Sequence, residues 1–343
     1  ICSNQIMKRY IFKSAFLFTV MMAQSKVATT SGSFLEIGAG ARSLSMGSAF
    51  VAVSNDVSAL YWNPAGIVEL NRPSMHIYHS PWLVETKYYH GGAVVPMGNM
   101  GSMGISYSGV TMEEMMVRTV ESPEGTGEKF SVSNVAIGLA YAKRLTDKFS
   151  FGVNLKMVQE KIWQMHAQGF SVDIGSLFTT AGGIRIGMSV SNFGGKLQMG
   201  GTNTLVDFDL DETIYGNNDR IDAHLDAGRW PLPLLFRFGL TKDFTIGQDK
   251  ITIAADGIHP NNNVEYVNVG IEYNFNDLLF LRTGQSHLFM DKANSGDKAE
   301  QGLSLGFGLN YQIPRGPKIR VDYVRTDFGV FNNIEGLSLN FNF

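Results

Sequence analysis

Three things are scarce in this chain: cysteine, charge and long apolar runs. Cys2 is its one cysteine in 343 residues. An intrachain disulfide is therefore excluded, and loss of the first residues on export would also exclude thiol chemistry and a lipoprotein anchor. Charged residues make up 17% of the chain, against roughly 25% in an ordinary soluble domain. Such a chain cannot carry a densely charged surface. The net charge of −3 and pI near 6.2 leave no basic excess for a nucleic-acid footprint. Beyond the N-terminal region no window approaches the ~18 apolar residues of a membrane-spanning helix. Helices would not hold this protein in a membrane.

What is abundant is glycine, 38 residues of it, and a period-two alternation. Phe149, Phe151, Val153, Leu155 and Met157 alternate with Ser150, Gly152, Asn154 and Lys156; Leu303, Leu305, Phe307, Leu309 and Tyr311 alternate with Ser304, Gly306, Gly308 and Asn310. Similar runs cover 135–141 and 267–275, and weaker ones 184–190, 234–241, 251–256, 319–325 and 337–343. Roughly 14 or 15 such segments occur, each near the 9–11 residues that cross a bilayer as a tilted strand. One face is apolar and almost free of charge. The other is mainly Gly, Ser and Asn with scattered Lys156, Asp173, Arg185, Arg237, Asp256, Glu272, Arg320 and Asp322, which suits a crowded, partly wet lumen rather than bulk water. Lys143 and Arg325 follow Tyr141 and Tyr323 on the apolar face, where each can snorkel to an interface. Only a closed sheet satisfies every backbone group in lipid. The expected architecture is all-β, an antiparallel transmembrane barrel of about 14 strands.

Both ends agree with that reading. From Met7 a basic start (Lys8, Arg9, Lys13) precedes an apolar run from Ala15 to Met22 and a small residue, Ala23, the order of an export signal cleaved after Ala23. The six residues before Met7 fall outside such a signal. The last residues, LSLNFNF, alternate and finish on Phe341 and Phe343, resembling the assembly signal of bacterial outer-membrane barrels. The expected divisions are 1–23 (signal and upstream residues), 24–70 (an N-terminal hatch) and 71–343 (the barrel).

The stretch GAGARSLSMGSAFVAVSNDVSALYWNPAG begins at Gly38. Gly38, Gly40 and Ser43 lack the third glycine of a dinucleotide fingerprint, and no P-loop lysine follows. Its local physics describes a compact, kinked insert. Asp56 can cap a short helix through Leu60 and Tyr61; Pro64 disfavours helical geometry at Asn63 and suits the start of the next turn. This stretch resembles the N-terminal signature of PorV/PorQ-type outer-membrane proteins, relatives of the FadL-type fatty-acid transporters, whose hatch carries an Asn-Pro-Ala motif. Asn63, Pro64 and Ala65 match that motif, followed by Gly66, with Arg42 and Asp56 as the charges of the segment. The close match covers about residues 34–70. It departs at Ser48, where a second glycine is expected after Gly47, and at Asn55, where an acidic residue is usual.

The resemblance implies a barrel of 14 strands with the 34–70 segment folded into its lumen; the export signal, the charge-poor outer face and the terminal Phe343 point to the bacterial outer membrane, and a monomeric barrel is expected. The resemblance also implies an accessory role in type IX-like protein secretion, with translocon or cargo proteins as partners. The alternative is a FadL-like channel for long-chain fatty acids or other hydrophobic small molecules. Met100, Met103, Met112, Met115 and Met116 crowd one region of the sequence; their thioethers could bind copper, but flexible apolar contact is the preferred reading. Met112, Met115 and Met116, with Trp230 at the end of a long loop over about 194–230, are the partner-binding candidates. His76 and His79 stand three apart and point to opposite faces of a strand, which speaks against a metal site. Asp207, Asp209 and Asp211 could share a face and bind Ca²⁺; a solvated acidic loop is preferred. No catalytic residue, cofactor or metal is expected, nor an enzyme.

Overall fold

The computed structural model describes residues 29–210, 213, 221–290 and 302–343. The export-signal residues, Cys2, Ala23 and Asp211 lie outside the described residues. Fourteen antiparallel strands close into a barrel. In chain order they are β1 Ser74–Pro81, β2 Lys87–Pro96, β3 Ser102–Thr111, β4 Val132–Thr146, β5 Phe149–Ile162, β6 Met165–Thr179 and β7 Ile184–Gly194. There follow β8 Leu235–Ile246, β9 Asp249–Pro260, β10 Tyr266–Phe275, β11 Leu279–Leu288, β12 Leu303–Gln312, β13 Lys318–Asp327 and β14 Asn333–Asn342. Each strand pairs with its neighbours in sequence, and β1 closes on β14 with Ile77 opposite Leu339. The closure leaves no free edge between first and last strands.

The alternation read from the sequence is the alternation of faces. On β12, Leu303, Leu305, Phe307 and Leu309 are exposed on the outside while Ser304 is buried inside. On β14, Leu337 points out and Ser338 and Asn340 point in. Phe341 pairs with Met75 of β1, and the Phe343 N–H donates to the Pro73 carbonyl at 3.0 Å, so both terminal aromatics sit on the closing seam. Short turns join the strands at one end, such as 147–148 and 247–248. The longest connections, 112–131 and 195–234, lie at the other, beside the two-residue turn 163–164.

Two sequence expectations change. Met100 and Met103 sit at the short-turn end of β3, whereas Met112, Met115 and Met116 follow its far end. A ten-residue strand, roughly 30 Å long at 3.3–3.4 Å per residue, separates them, so the five methionines form no single cluster. The stretch from 194 to 230 is likewise not an unstructured loop. Leu197–Gln198 pairs with Arg229–Trp230, and Leu205–Phe208 with Ile221–His224. Asp207 lies directly opposite Asp222 in that second ribbon, an arrangement of like charges stable only in water.

The core of the molecule is the barrel lumen, filled by residues 33–69. Phe50, Val51, Ala52 and Val53 have no exposed surface. The wall receives this segment through inward-facing glycines. A Cβ on Gly175 of β6 would lie 2.0 Å from Asn63 Oδ1, one on Gly284 of β11 2.1 Å from the Met46 carbonyl carbon, and one on Gly187 of β7 2.6 Å from the Val51 carbonyl oxygen. No side chain fits at these positions. The glycine richness of the polar face is thus the imprint of a backbone pressed against it. Above the segment, Leu197 and Leu232 of the long connection pack with Phe34 and Leu35, and the Ser31 N–H donates to the Pro231 carbonyl at 2.9 Å.

Candidate functional site

The lumenal segment is a succession of tight turns. A short helix, α1 Ala41–Ser45, presents Arg42 to the wall. The chain then reverses at Gly47 and Ser48, both left-handed with φ of 61° and 64°. Ser48 thus occupies the conformation that favours the glycine expected there. Asp256 of β9 receives the next turn: its Oδ2 accepts the N–H groups of Phe50 and Val51 at 2.7 and 2.9 Å.

Asp56 Oδ1 accepts from the N–H and hydroxyl of Ser58 at 3.0 and 2.6 Å, leading into α2 Ala59–Trp62. The helix stops at Asn63, which is extended at φ −161°, ψ 101°, and Pro64 opens a 3₁₀ turn over Pro64–Glu69. The Asn63 side chain makes three bonds. Its Oδ1 accepts the Ala65 N–H at 3.2 Å, and its Nδ2 donates to the carbonyls of Val51 and of Ser176 on β6, at 2.9 and 3.0 Å. The Asn-Pro-Ala motif therefore ties the segment to itself and to the wall. Gly66 completes it, because a Cβ there would lie 2.0 Å from the Ser54 carbonyl oxygen.

Arg42 and Asp56 belong to a closed ring of six charges. Arg42 Nη2 reaches Glu272 Oε1 of β10 at 2.7 Å, and Glu272 Oε2 accepts from Arg282 Nε of β11 at 2.6 Å. Arg282 Nη1 meets Asp322 Oδ1 of β13 at 2.8 Å, and Asp322 Oδ2 meets Arg320 Nε at 2.8 Å. Arg320 Nη2 and Arg42 Nη1 both end on Asp56 Oδ2, at 3.0 and 2.9 Å. Three guanidiniums alternate with three carboxylates, so the ring is formally neutral. Gly308 of β12 makes it possible: a Cβ there would lie 2.3 Å from Asp322 Oδ1 and 2.9 Å from Arg282 Nη1. Phe280 lies beneath the Arg282 and Arg320 guanidiniums at 5.1 and 5.8 Å.

Asn55 fills the place of an acidic residue by accepting from Arg42 Nη1 at 2.6 Å. Burial pushes the Asp56 carboxyl up, but Arg42 and Arg320 outweigh it and hold the group far below the usual carboxylate range.

Two cavities lie toward the long-connection end. The outer one, about 330 Å³, is bounded by Ser33, Phe34, Glu36, Ile37, Trp82 and Val110. The inner one, about 170 Å³ and more enclosed, lies between the segment and β8–β11 and is lined among others by Trp62, Arg237, Tyr266 and His287. Glu36 and Ile37 border both cavities and stand between them. On the outside of the barrel an apolar groove of about 570 Å³ crosses β1–β6 past Ile77, Ala93, Ile105, Ile137, Leu139 and Leu155. Its floor at Gly91, Gly92 and Gly138 carries no side chains.

The structure brings Arg42 and Asp56 into the ring and Asn63, Pro64, Ala65 and Gly66 into one turn. It leaves Met115, Met116 and Trp230 half-exposed at the long-connection end, with Met112 half-buried where β3 ends. His76 is buried inside, and His79 lies on the other face of β1. Glu272, Arg320 and Asp322 were legible as lumen charges, but not as partners of one another. Arg282 was missed; its parity, between Leu281 and Thr283 on an alternating strand, was the available signal. The inner cavity had no sequence signal, because three distant stretches form it.

The sequence profile of an uncharacterised protein family, UPF0164, matches residues 15–198. No curated protein matches the chain. In three dimensions it is similar to a FadL homologue of Pseudomonas aeruginosa, with TM-score 0.52 and 13% identity over 94% of this chain and 100% of that one. It is also similar to the toluene transporter TbuX of Ralstonia pickettii, with TM-score 0.54 and 13% identity over 89% and 97%. The monoaromatic hydrocarbon channel CymD gives TM-score 0.56 and 11% identity over 90% and 98%. At such identities the likeness concerns the fold, a FadL-like barrel. TbuX and CymD carry names of small-molecule passage, and none of the three names a secretion role.

Proposed function

The chain belongs to the uncharacterised protein family UPF0164, and we propose that it is a channel of the bacterial outer membrane for small, largely apolar molecules, with residues 34–70 as its hatch. The observation that carries this reading is the pair of neighbouring cavities that share Glu36 and Ile37, which we take as the neck between them. Together they offer a route from the long-connection end to an aromatic-walled chamber inside the barrel. Enclosed, partly apolar chambers with a few convergent polar groups are the usual form of small-molecule sites. The names of the neighbours, two of them for toluene or monoaromatic hydrocarbons, favour the same class of solute. The outer groove adds an apolar surface where such a solute would be at home in the membrane.

Uptake of radiolabelled toluene by cells that make the chain, compared with cells that lack it, tests the proposal. Faster uptake is expected, and Ile37→Trp, which fills the neck, should abolish the difference. Equal uptake with and without the chain would overturn it.

A second reading is the secretion role implied by the PorV/PorQ resemblance. What favours it is the exposure of Met115, Met116 and Trp230, at 54%, 49% and 50%, on connections beyond the strands. Exposed apolar side chains in water, rather than in lipid, suit a protein partner.

A further inference from the structure

Among the described residues, Arg237 of β8 is the buried arginine that the ion-pair ring does not use. It is 5% exposed. Its Nη1 donates to Ser191 Oγ at 2.9 Å, and among the described residues no carboxylate comes within ion-pair distance of it. Two rings lie against it: the guanidinium carbon is 5.4 Å from the Trp62 ring centre and 5.7 Å from that of Tyr61, the two rings being inclined to each other at 73°. Among the described residues, Nη1 to Ser191 is the one hydrogen bond that its N–H groups make. A guanidinium has five N–H donors, and its fork geometry matches a carboxylate.

The rest of the inner cavity is consistent with a ligand that has one anionic end and one flat end. Tyr266 stacks on His287 at 4.2 Å and 22°, presenting a further aromatic surface. The His287 Nδ1 is buried and, among the described residues, has no hydrogen-bond partner. His287 stands in a left-handed conformation, φ 56°, where the pairing of β10 with β11 shifts register; such bulges re-aim side chains. Glu36 is the chamber's own acidic group. Its Oε2 accepts from Asn262 Nδ2 at 3.0 Å, and it feels the charge of Arg237 without a direct ion pair to it. Size sets the limit. A cavity of about 150 Å³ holds one benzene ring, and this one is about 170 Å³. A long acyl chain does not fit.

We propose that the inner chamber binds a small aromatic monocarboxylate, with the carboxylate on Arg237 and the ring against Trp62 and Tyr266. The inference rests on the channel reading for its setting, not for its chemistry. The folded full chain in detergent is dialysed to equilibrium against radiolabelled benzoate, toluene or palmitate. Saturable benzoate binding is expected, with little competition from palmitate. Arg237→Gln should weaken benzoate binding about tenfold or more, the scale of a lost charge-assisted hydrogen bond, and leave toluene binding within about threefold. Glu36→Gln, which removes a like charge, should strengthen benzoate binding. Retention of the heat-dependent gel shift by Arg237→Gln and Arg237→Lys shows that the barrel is intact.

Benzoate binding indifferent to both Arg237→Gln and Glu36→Gln, or palmitate competing as well as benzoate, overturns the assignment. If toluene uptake persists in that case, the channel reading survives alone. Arg237-dependent benzoate binding without toluene uptake would have the opposite meaning.

Discussion

Arg42 in the lumenal segment grips Glu272 on β10 through two parallel bonds, Nε to Oε2 at 2.8 Å and Nη2 to Oε1 at 2.7 Å. This fork joins the segment to the wall on one side of the ring, and Asp56 to Arg320 joins it on the other. Breaking a buried ion pair from one side costs about 3–5 kcal/mol, because the remaining charge is stranded. Arg42→Met leaves three carboxylates to two guanidiniums. The expected result is a large fall in the temperature at which the folded, fast-migrating form is lost on gels. Adding Glu272→Gln should restore much of that loss, since the charges then balance again. A double variant no more stable than Arg42→Met would show that the ring does not act as a unit.

Acid should loosen the same attachment. The Asp56 carboxyl is held far below its usual range, so its contribution is complete above the unfolded value of about 3.9 and is lost as pH falls below it. Between pH 5 and 8 this group gives no pH dependence. The difference in the midpoint of urea unfolding in detergent between the parent and Asp56→Asn should hold constant across that window and shrink below about pH 4, with Asp56→Asn less stable at pH 7 and shallower in its acid dependence. An acid limb as steep in Asp56→Asn as in the parent would assign the effect to other carboxylates.

The wall glycines predict a steric effect free of charge. At Gly284 a Cβ would lie 2.1 Å from the Met46 carbonyl carbon and 2.2 Å from the Gly47 nitrogen, both backbone atoms that cannot turn aside. Gly284→Ala should therefore displace the segment while the outward face of β11 stays unchanged. Gly182→Ala, in a turn with nothing within 4 Å, is the control. In planar bilayers Gly284→Ala, like deletion of residues 34–70, should conduct more than the parent, and Gly182→Ala should not. Equal conductance in all four proteins would remove the hatch assignment.

The barrel was legible because its faces differ in solvent. Leu305 and Phe307 cannot exchange places with Ser304 and Gly306 without turning a strand inside out. The turn at Asn63 and Pro64 was legible for a similar reason, since proline restricts its predecessor locally. The ring was not. Arg42 and Glu272 are 230 positions apart, and no local rule selects Glu272 over Asp256 or Asp173, which also face inward. Asp256 instead receives two backbone N–H groups, and Asp173 pairs with Lys156 at 2.7 Å. Register between distant strands decides among them. The methionines misled for the complementary reason: nearness in sequence became distance in space once β3 ran between Met103 and Met112.

The exposed long-connection end separates the two functional readings. Met115 pairs with Phe130, and Trp230 with Leu197; yet the Met115 and Trp230 side chains are about half exposed while Leu197 is buried beneath. A charge at either position remains in water and asks nothing of the packed lumen. Met115→Glu and Trp230→Glu should accordingly keep the heat-dependent gel shift, and toluene uptake should stay within about twofold of the parent, because neither side chain borders the neck at Ile37. Under the secretion reading the same substitutions would remove hot-spot anchors, and a protein partner held in mild detergent would be lost, mainly through faster dissociation. Loss of such a partner, together with toluene uptake indifferent to Ile37→Trp, would place the function at the rim and make the chamber incidental.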